Sequence, residues 1–152
     1  MFTRRSFLSL TFAAPALALL TRPAAAMSPE VFSDAGLAIR GTDPVAYFTS
    51  GAPTKGQEAY GLMWRGAEWR FASAENMESF EMHPEAFAPA YGGYCAYAMS
   101  LGHLAPTDPQ AWTIHDGRLF LNYSTEVRAI WQADIPGNIA KADKFWPEVL
   151  NG

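Results

Sequence analysis

Residues 60–71 read Tyr60-Gly61-Leu62-Met63-Trp64-Arg65-Gly66-Ala67-Glu68-Trp69-Arg70-Phe71 and hold the clearest structural pattern in the chain. Bulky or apolar residues occupy every second position on both sides of Arg65-Gly66, a pair suited to a tight turn. The pattern predicts a β-hairpin with one buried face, on which Trp69 lies inward and Glu68 outward. Ser73 is then predicted to cap a helix that ends at His83-Pro84.

A second hairpin is predicted around the turn Asp116-Gly117, a strong short-range hairpin signal. Its inward-facing residues are predicted to be Trp112, Ile114, Leu119, Leu121 and Tyr123. A helix capped at Ser124 or Thr125 should follow, broken by Pro136-Gly137, with a last helix from about Asn138. No repeat of fixed period is evident. The expected fold class is α+β, a single small domain with two antiparallel β-hairpins and about four helices.

The stretch Tyr91-Gly92-Gly93-Tyr94-Cys95-Ala96-Tyr97-Ala98-Met99 contains the chain's single cysteine. Paired glycines are typical of a tight bend, because glycine tolerates positive φ without strain. The helical spacing of the residues that follow predicts a helix up to Leu101, stopped by Gly102, with Cys95 in its first turn. The helix dipole and free N–H groups at that position favour a thiolate.

The N-terminus has the form of a bacterial export signal. Arg4-Arg5 precede Phe7-Leu8 and an apolar run from Leu10 to Leu20, and Ala24-Ala25-Ala26 supplies small residues for cleavage. Adjacent arginines in this place indicate the twin-arginine route, and the apolar run is short for a membrane span. We therefore expect residues 1–26 to be a twin-arginine signal peptide, with a periplasmic domain over residues 27–152 and no membrane anchor after cleavage.

Charge and cysteine content exclude several classes of function. The first 26 residues carry three arginines and no acidic residue, so residues 27–152 hold 8 basic and 15 acidic residues, a net charge of −7. An acidic chain is a poor partner for nucleic acid or an anionic membrane. A lone cysteine cannot form an internal disulfide, which leaves Cys95 as a buried residue, a metal ligand, a reactive thiol or an intermolecular partner.

Five segments together resemble the YHS domain family in a longer, exported form. The matching stretches include Gly41-x-Asp43-Pro44-Val45-Ala46-Tyr47-Phe48, residues 70–76 (Arg-Phe-Ala-Ser-Ala-Glu-Asn), Phe80-x-x-His83-Pro84-Glu85, Tyr91–Ala96 and Gly117-x-Leu119-x-Leu121-Asn122-Tyr123. Short members of this family are similar to small metal-binding modules. In them a cysteine follows Asp-Pro-Val, and a Phe-Cys-Ser-x-x-Cys run opens the helix after the hairpin.

This chain has Ala46, Ala72 and Asn76 at the three places where the resemblance implies cysteines. A structural zinc site needs about four Cys or His ligands, and the chain offers one Cys and three His. We therefore expect the metal site that the resemblance implies to be missing, while the scaffold of hairpin, capped helix and Asp-Pro loop is kept.

Cys95, Met99 and His103 are spaced so that a continuous helix would carry them on one face. Thiolate, thioether and imidazole suit copper, although burial in the core is the alternative for Cys95 and Met99. Tyr91, Tyr94 and Tyr97 are candidates for lining a ligand pocket, with aromatic core packing as the alternative. No catalytic cysteine motif and no resolving cysteine are present.

The sequence thus predicts an exported, non-catalytic YHS domain protein that binds a ligand, with a transition metal, copper, as the leading candidate. Its partner would be a small ligand or metal ion, or a periplasmic protein, and not nucleic acid. A structural or protein-interaction module without a ligand is the alternative, and a thiol-dependent redox protein that uses Cys95 is a further one.

Overall fold

The computed structural model describes residues 26–152, so the predicted signal peptide lies outside the described residues except for Ala26. Four strands form one sheet in the order β1-β2-β4-β3. Their bounds are β1 Ser33–Asp34, β2 Leu37–Ala38, β3 Gln57–Trp64 and β4 Ala67–Phe71. The predicted hairpin is β3–β4, in which Leu62 pairs with Trp69 and Trp64 pairs with Ala67.

The second predicted hairpin forms a two-stranded sheet of its own, from β5 Asp108–His115 and β6 Arg118–Asn122. The left-handed backbone of its turn, with φ of 48° at Asp116 and 74° at Gly117, explains why Asp-Gly is suited to this place. With helices between and after the strands, the fold is α+β, as predicted.

Six α-helices lie in the described part of the chain, three of them with eight or nine residues. Their bounds are α1 Ala46–Thr49, α2 Ala74–Met82, α3 Pro84–Phe87, α4 Ala96–Ser100, α5 Thr125–Gln132 and α6 Ile135–Ala142. The described helices include none with the combined length and apolar character needed to cross a bilayer. Ser73 caps α2 and Ser124 caps α5, and each side-chain oxygen accepts an N–H at 3.1 Å. Both caps agree with the sequence pattern.

The prediction that Pro136-Gly137 interrupts the helical structure and that the last helix begins only after this pair is wrong. Both residues lie in the first turn of α6, where Asp134 caps the helix by accepting the Gly137 N–H at 3.1 Å. Proline is tolerated there because the N–H groups of a first helical turn have no intrahelical partner.

Strand β6 lies between two buried clusters of side chains. Leu119 and Leu121 belong to the cluster around Trp69 and Phe80, whereas Phe120 belongs to the cluster around Trp131. Both faces of β6 are therefore buried, which a period of two does not predict. The prediction that Tyr123 faces inward is wrong, because its side chain lies beyond the strand and is 56% exposed.

The two hairpins belong to two units with the same order of elements, which we call the first repeat (residues 39–82) and the second repeat (residues 90–132). Each has a 3₁₀ turn, a short helix, a hairpin and a serine-capped helix. Each hairpin has one register shift at the same place, with paired residues Gln57–Phe71 and Gly61–Arg70 in the first and Asp108–Asn122 and Trp112–Leu121 in the second. The sequence pattern did not reveal this duplication.

The 3₁₀ turns that open the repeats also match in their backbone conformation. Each contains three successive residues of positive φ, Ile39, Arg40 and Gly41 at 50°, 51° and 80°, and Tyr91, Gly92 and Gly93 at 58°, 63° and 84°. In both repeats an aromatic ring on the hairpin packs on one from the following helix, with centroids 4.9 Å apart for Trp69–Phe80 and 5.1 Å for Phe120–Trp131. The shared features are properties of the scaffold.

Candidate functional site

Asp43 is the polar centre of the first repeat and is fully buried. Its Oδ1 accepts the N–H groups of Val45 and Ala46 at 2.8 and 3.3 Å. Its Oδ2 accepts the Ala72 N–H at 2.8 Å and the Asn76 Nδ2 at 2.7 Å. Four donors thus satisfy the carboxylate, and they tie the start of α1 to the start of α2.

The three positions at which the resemblance implies metal-binding cysteines, Ala46, Ala72 and Asn76, all surround Asp43. The residues present do not fit a metal ion. The two alanines offer no side-chain ligand, and Asn76 donates its amide hydrogen to the carboxylate. Both Asp43 oxygens are engaged by N–H groups, which a cation would have to displace. The side chains at these three positions therefore supply no ligand set for the metal that the resemblance implies.

Cys95 takes the place in the second repeat that Asp43 has in the first. It lies immediately before α4 as its N-cap, and not in the first turn of the helix as predicted, because the backbone of Tyr94 and Cys95 is not helical. The sulfur accepts the N–H groups of Ala98 and Tyr123 at 3.5 and 3.3 Å. It also lies 3.5 Å from Asn122 Oδ1, to which the thiol donates.

The three residues predicted to bind copper are only partly brought together. Cys95 and Met99 are both buried, one helical turn apart, with 1% and 0% of their surfaces exposed. His103 lies beyond Gly102, where α4 has ended, and is exposed to solvent. Within residues 26–152, no group of three or more His, Cys, Asp or Glu side chains is placed to hold a metal ion. Copper at these residues stays a prediction.

A cleft of about 380 Å³ opens beside Tyr91 and Gly92. Both hairpin turns, the entry segment, the chain from α3 to Gly92 and the C-terminal Trp146 contribute to it. Its lining residues are Glu30, Val31, Trp64, Arg65, Glu85, Ala86, Ala88, Pro89, Ala90, Tyr91, Gly92, Gly117, Arg118 and Trp146. Of the three tyrosines predicted to line a pocket, Tyr91 does so. Tyr94 and Tyr97 are outside this lining, and both pack in the second buried cluster.

Gly92 allows the walls of the cleft to meet. A Cβ at this position would lie 1.8 Å from the Glu30 carbonyl oxygen and 3.2 Å from the Trp146 ring. The Gly92 carbonyl accepts the Phe32 N–H at 2.9 Å, which fixes the entry segment across the turn. Glycine is therefore required here both by the close approach and by the φ of 63°.

The cleft contains two arginines in different electrostatic settings. Arg65 bonds Glu30 at 3.2 Å and Glu85 at 2.8 Å, and its guanidinium carbon lies 4.3 Å from the centre of the Trp64 ring system. Arg118 forms no ion pair within the described residues. Its guanidinium carbon lies 5.0 Å from the Phe120 ring centroid and 6.0 Å from that of Tyr91.

Tyr91 joins the cleft to the second buried cluster, with 3% of its surface exposed. Its hydroxyl donates a hydrogen bond to Asp143 Oδ1 at 2.9 Å. Burial raises the pKa of Tyr91 well above the ordinary value, the bond to Asp143 and its charge raise it further, and Arg118 opposes these effects. Tyr91 is therefore a neutral wall of the cleft at ordinary pH.

Sequence reasoning missed Arg118, Arg65 and Trp146 as site residues. The only local signal was the Gly-Gly pair, which indicates a close backbone approach without indicating what approaches. The walls come from five separate segments, so no spacing within any one of them could have predicted the cleft. Comparison with known proteins adds no assignment, because no family model, curated protein or solved structure matches this chain.

Proposed function

We propose that this chain is an exported, non-catalytic binding module of YHS-like architecture that holds a small molecule in the cleft beside Tyr91. The observation that carries the proposal is the cleft itself, whose volume falls within the range usual for small-molecule sites. Aromatic walls and a few charged groups meet there, which is the composition expected of such a site. The export signal and the family resemblance remain inferences from the sequence.

The two buried polar centres, Asp43 and Cys95, are less suited to binding a ligand than the cleft is. The hydrogen-bonding capacity of Asp43 and of the Cys95 thiol is met inside the protein, so neither has a free group for a ligand. Arg118, at the cleft, is a charged group with no ion-pair partner in residues 26–152. A binding role is therefore better supported at the cleft than at either buried centre.

Filling the cleft tests the proposal. Ala86 is exposed and lines the cleft, so Ala86→Phe should occupy its volume without entering the core. Ala140, exposed on α6 and absent from the lining, provides the matched control Ala140→Phe. In an NMR screen of small organic molecules, we expect ligands that shift the Trp64 and Trp146 indole signals of the wild type and of Ala140→Phe. These shifts should be lost in Ala86→Phe.

The Trp112 indole, which packs on Tyr47 and is absent from the cleft lining, provides the control signal and should stay unmoved. If a broad screen moves neither cleft indole, or if Ala86→Phe binds as well as wild type, the binding proposal is wrong. An interaction module without a ligand is then the function that remains.

Export is tested separately at the arginine pair. Changing Arg4 and Arg5 together to Lys should hold the precursor uncut in the cytoplasm, because the twin-arginine route requires the pair. Arg22→Lys makes the same chemical change outside the pair and should leave processing unaltered. Immunoblots of periplasmic and cytoplasmic fractions measure both. Normal processing of the double variant would point to the general secretory route.

A further inference from the structure

We infer that the ligand of the cleft is a small organic monocarboxylate with a flat apolar body, and that Arg118 binds its carboxylate. This inference rests on the proposed function and specifies it. Arg118 carries the only positive charge of the cleft that is left without a carboxylate partner among the described residues. A planar guanidinium matches a carboxylate with two parallel hydrogen bonds.

Arg65 is not free to bind the ligand's carboxylate, because it is already paired with two carboxylates of the protein. Glu30 and Glu85 both bond its guanidinium, so that corner of the cleft has a net negative charge. A second anionic group on the ligand would be repelled there, because like charges at short range are unfavourable. The cleft therefore favours one negative charge, placed at the Arg118 side.

Arg118 and its counterpart in the first repeat hold the same position in their hairpins but differ in residue type and exposure. The first residue of β4 is Ala67, which is 1% exposed, whereas the first residue of β6 is the exposed Arg118. Its guanidinium carbon lies near the Phe120 and Tyr91 rings, and these cation–π contacts position the group beside the cleft. An arginine positioned in this way, with no ion pair among the described residues, is available to an anion.

The remaining walls fit an apolar, planar body. Trp64, Tyr91 and Trp146 present rings, and Ala88 and Pro89 present small apolar surfaces. Rings favour stacked or edge-on contact with another ring, which gives binding energy without further charge. A naphthalene-sized acid contains one charge and one flat body, and so meets both requirements.

Matched acids and amides test the inference. 2-Naphthoate and 2-naphthamide have nearly the same shape and differ in charge, and a set of such pairs with one or two rings covers the cleft. We expect the acids to bind wild-type protein at least tenfold more tightly than the amides, measured from the Trp64 and Trp146 indole shifts. Arg118→Gln should abolish the preference, and Arg118→Lys should retain part of it because the charge remains. Arg65→Gln should preserve it.

The outcomes separate the inference from the function it rests on. Equal binding of acids and amides, or an unchanged preference in Arg118→Gln, would overturn the carboxylate assignment and leave the small-molecule cleft standing. A preference that Arg65→Gln removes as fully as Arg118→Gln would move the anion site to Arg65. If no acid or amide moves either indole, the cleft does not bind this class at all and the assignment is wrong, whatever the broader screen finds.

Discussion

The two repeats build the same scaffold around different polar centres. Asp43 in the first repeat and Cys95 in the second each follow a left-handed 3₁₀ turn and precede a short helix. Each accepts the N–H of the residue three positions later, Ala46 or Ala98, and that of the residue after the hairpin, Ala72 or Tyr123. The shared geometry indicates that these centres hold the hairpin to the helix before it.

The places where the repeats differ are more informative about function. Positive φ at Tyr91 would suggest a strained binding residue if it stood alone, but Ile39 has the same conformation away from the cleft. The strain therefore belongs to the scaffold. Gly92 in place of Arg40 and Arg118 in place of Ala67 are departures from the first repeat, and both lie in the cleft. The two repeats therefore differ where the proposed ligand would bind.

The largest effect is expected from removing the centre of the first repeat. Asp43→Ala leaves buried N–H groups without an acceptor, and each costs about 1–3 kcal/mol, so we expect a loss of about 4 kcal/mol or more in the free energy of unfolding. Asp34→Ala removes an exposed carboxylate paired with Arg40 and should cost below about 1 kcal/mol. Urea denaturation measures both. Similar small losses would show that Asp43 does not organise the first repeat.

Matched aromatic positions test whether the repeats are equivalent in energy. Trp69→Ala and Phe120→Ala each remove a buried ring that packs on the following helix, and each should cost about 3–5 kcal/mol. The preceding residues should differ, since Leu119 is buried and Glu68 is half-buried with an ion pair to Arg70.

We therefore expect Leu119→Ala to cost about 2–5 kcal/mol and Glu68→Ala below about 1 kcal/mol. Chemical denaturation of the four variants provides the comparison. If Glu68→Ala cost as much as Leu119→Ala, the outer face of the first hairpin would be a core face too, and the asymmetry between the hairpins would be wrong.

The hairpins and helix caps could be predicted because their signals are local. Alternating residues, Asp116-Gly117 and Ser73 each determine structure within a few positions. The double burial of β6 could not be predicted, because it depends on which cluster packs against each face. Phe120 was missed for that reason, since a period of two places it outward when Leu119 and Leu121 point inward. The duplication was missed because its matching positions share backbone geometry more than residue type, as Asp43 and Cys95 show.

Among the buried positions the smallest effect is expected at Cys95, and it separates the remaining functions of the second repeat. With its thiol donating to Asn122 and 1% exposure, Cys95 should resist iodoacetamide in the folded protein and react fully once denatured. Cys95→Ser should cost about 1–2 kcal/mol, an ordinary value for one substitution, because the hydroxyl keeps a donor but loses sulfur's reach and packing. Mass spectrometry measures the labelling, with and without Cu(I).

Rapid labelling of the native protein would favour the thiol-dependent alternative. Labelling that Cu(I) prevents, with metal lost in Cys95→Ser, would favour copper, because soft ligands hold it and a hydroxyl does not. If native Cys95 is not labelled under either condition, it is the structural counterpart of Asp43.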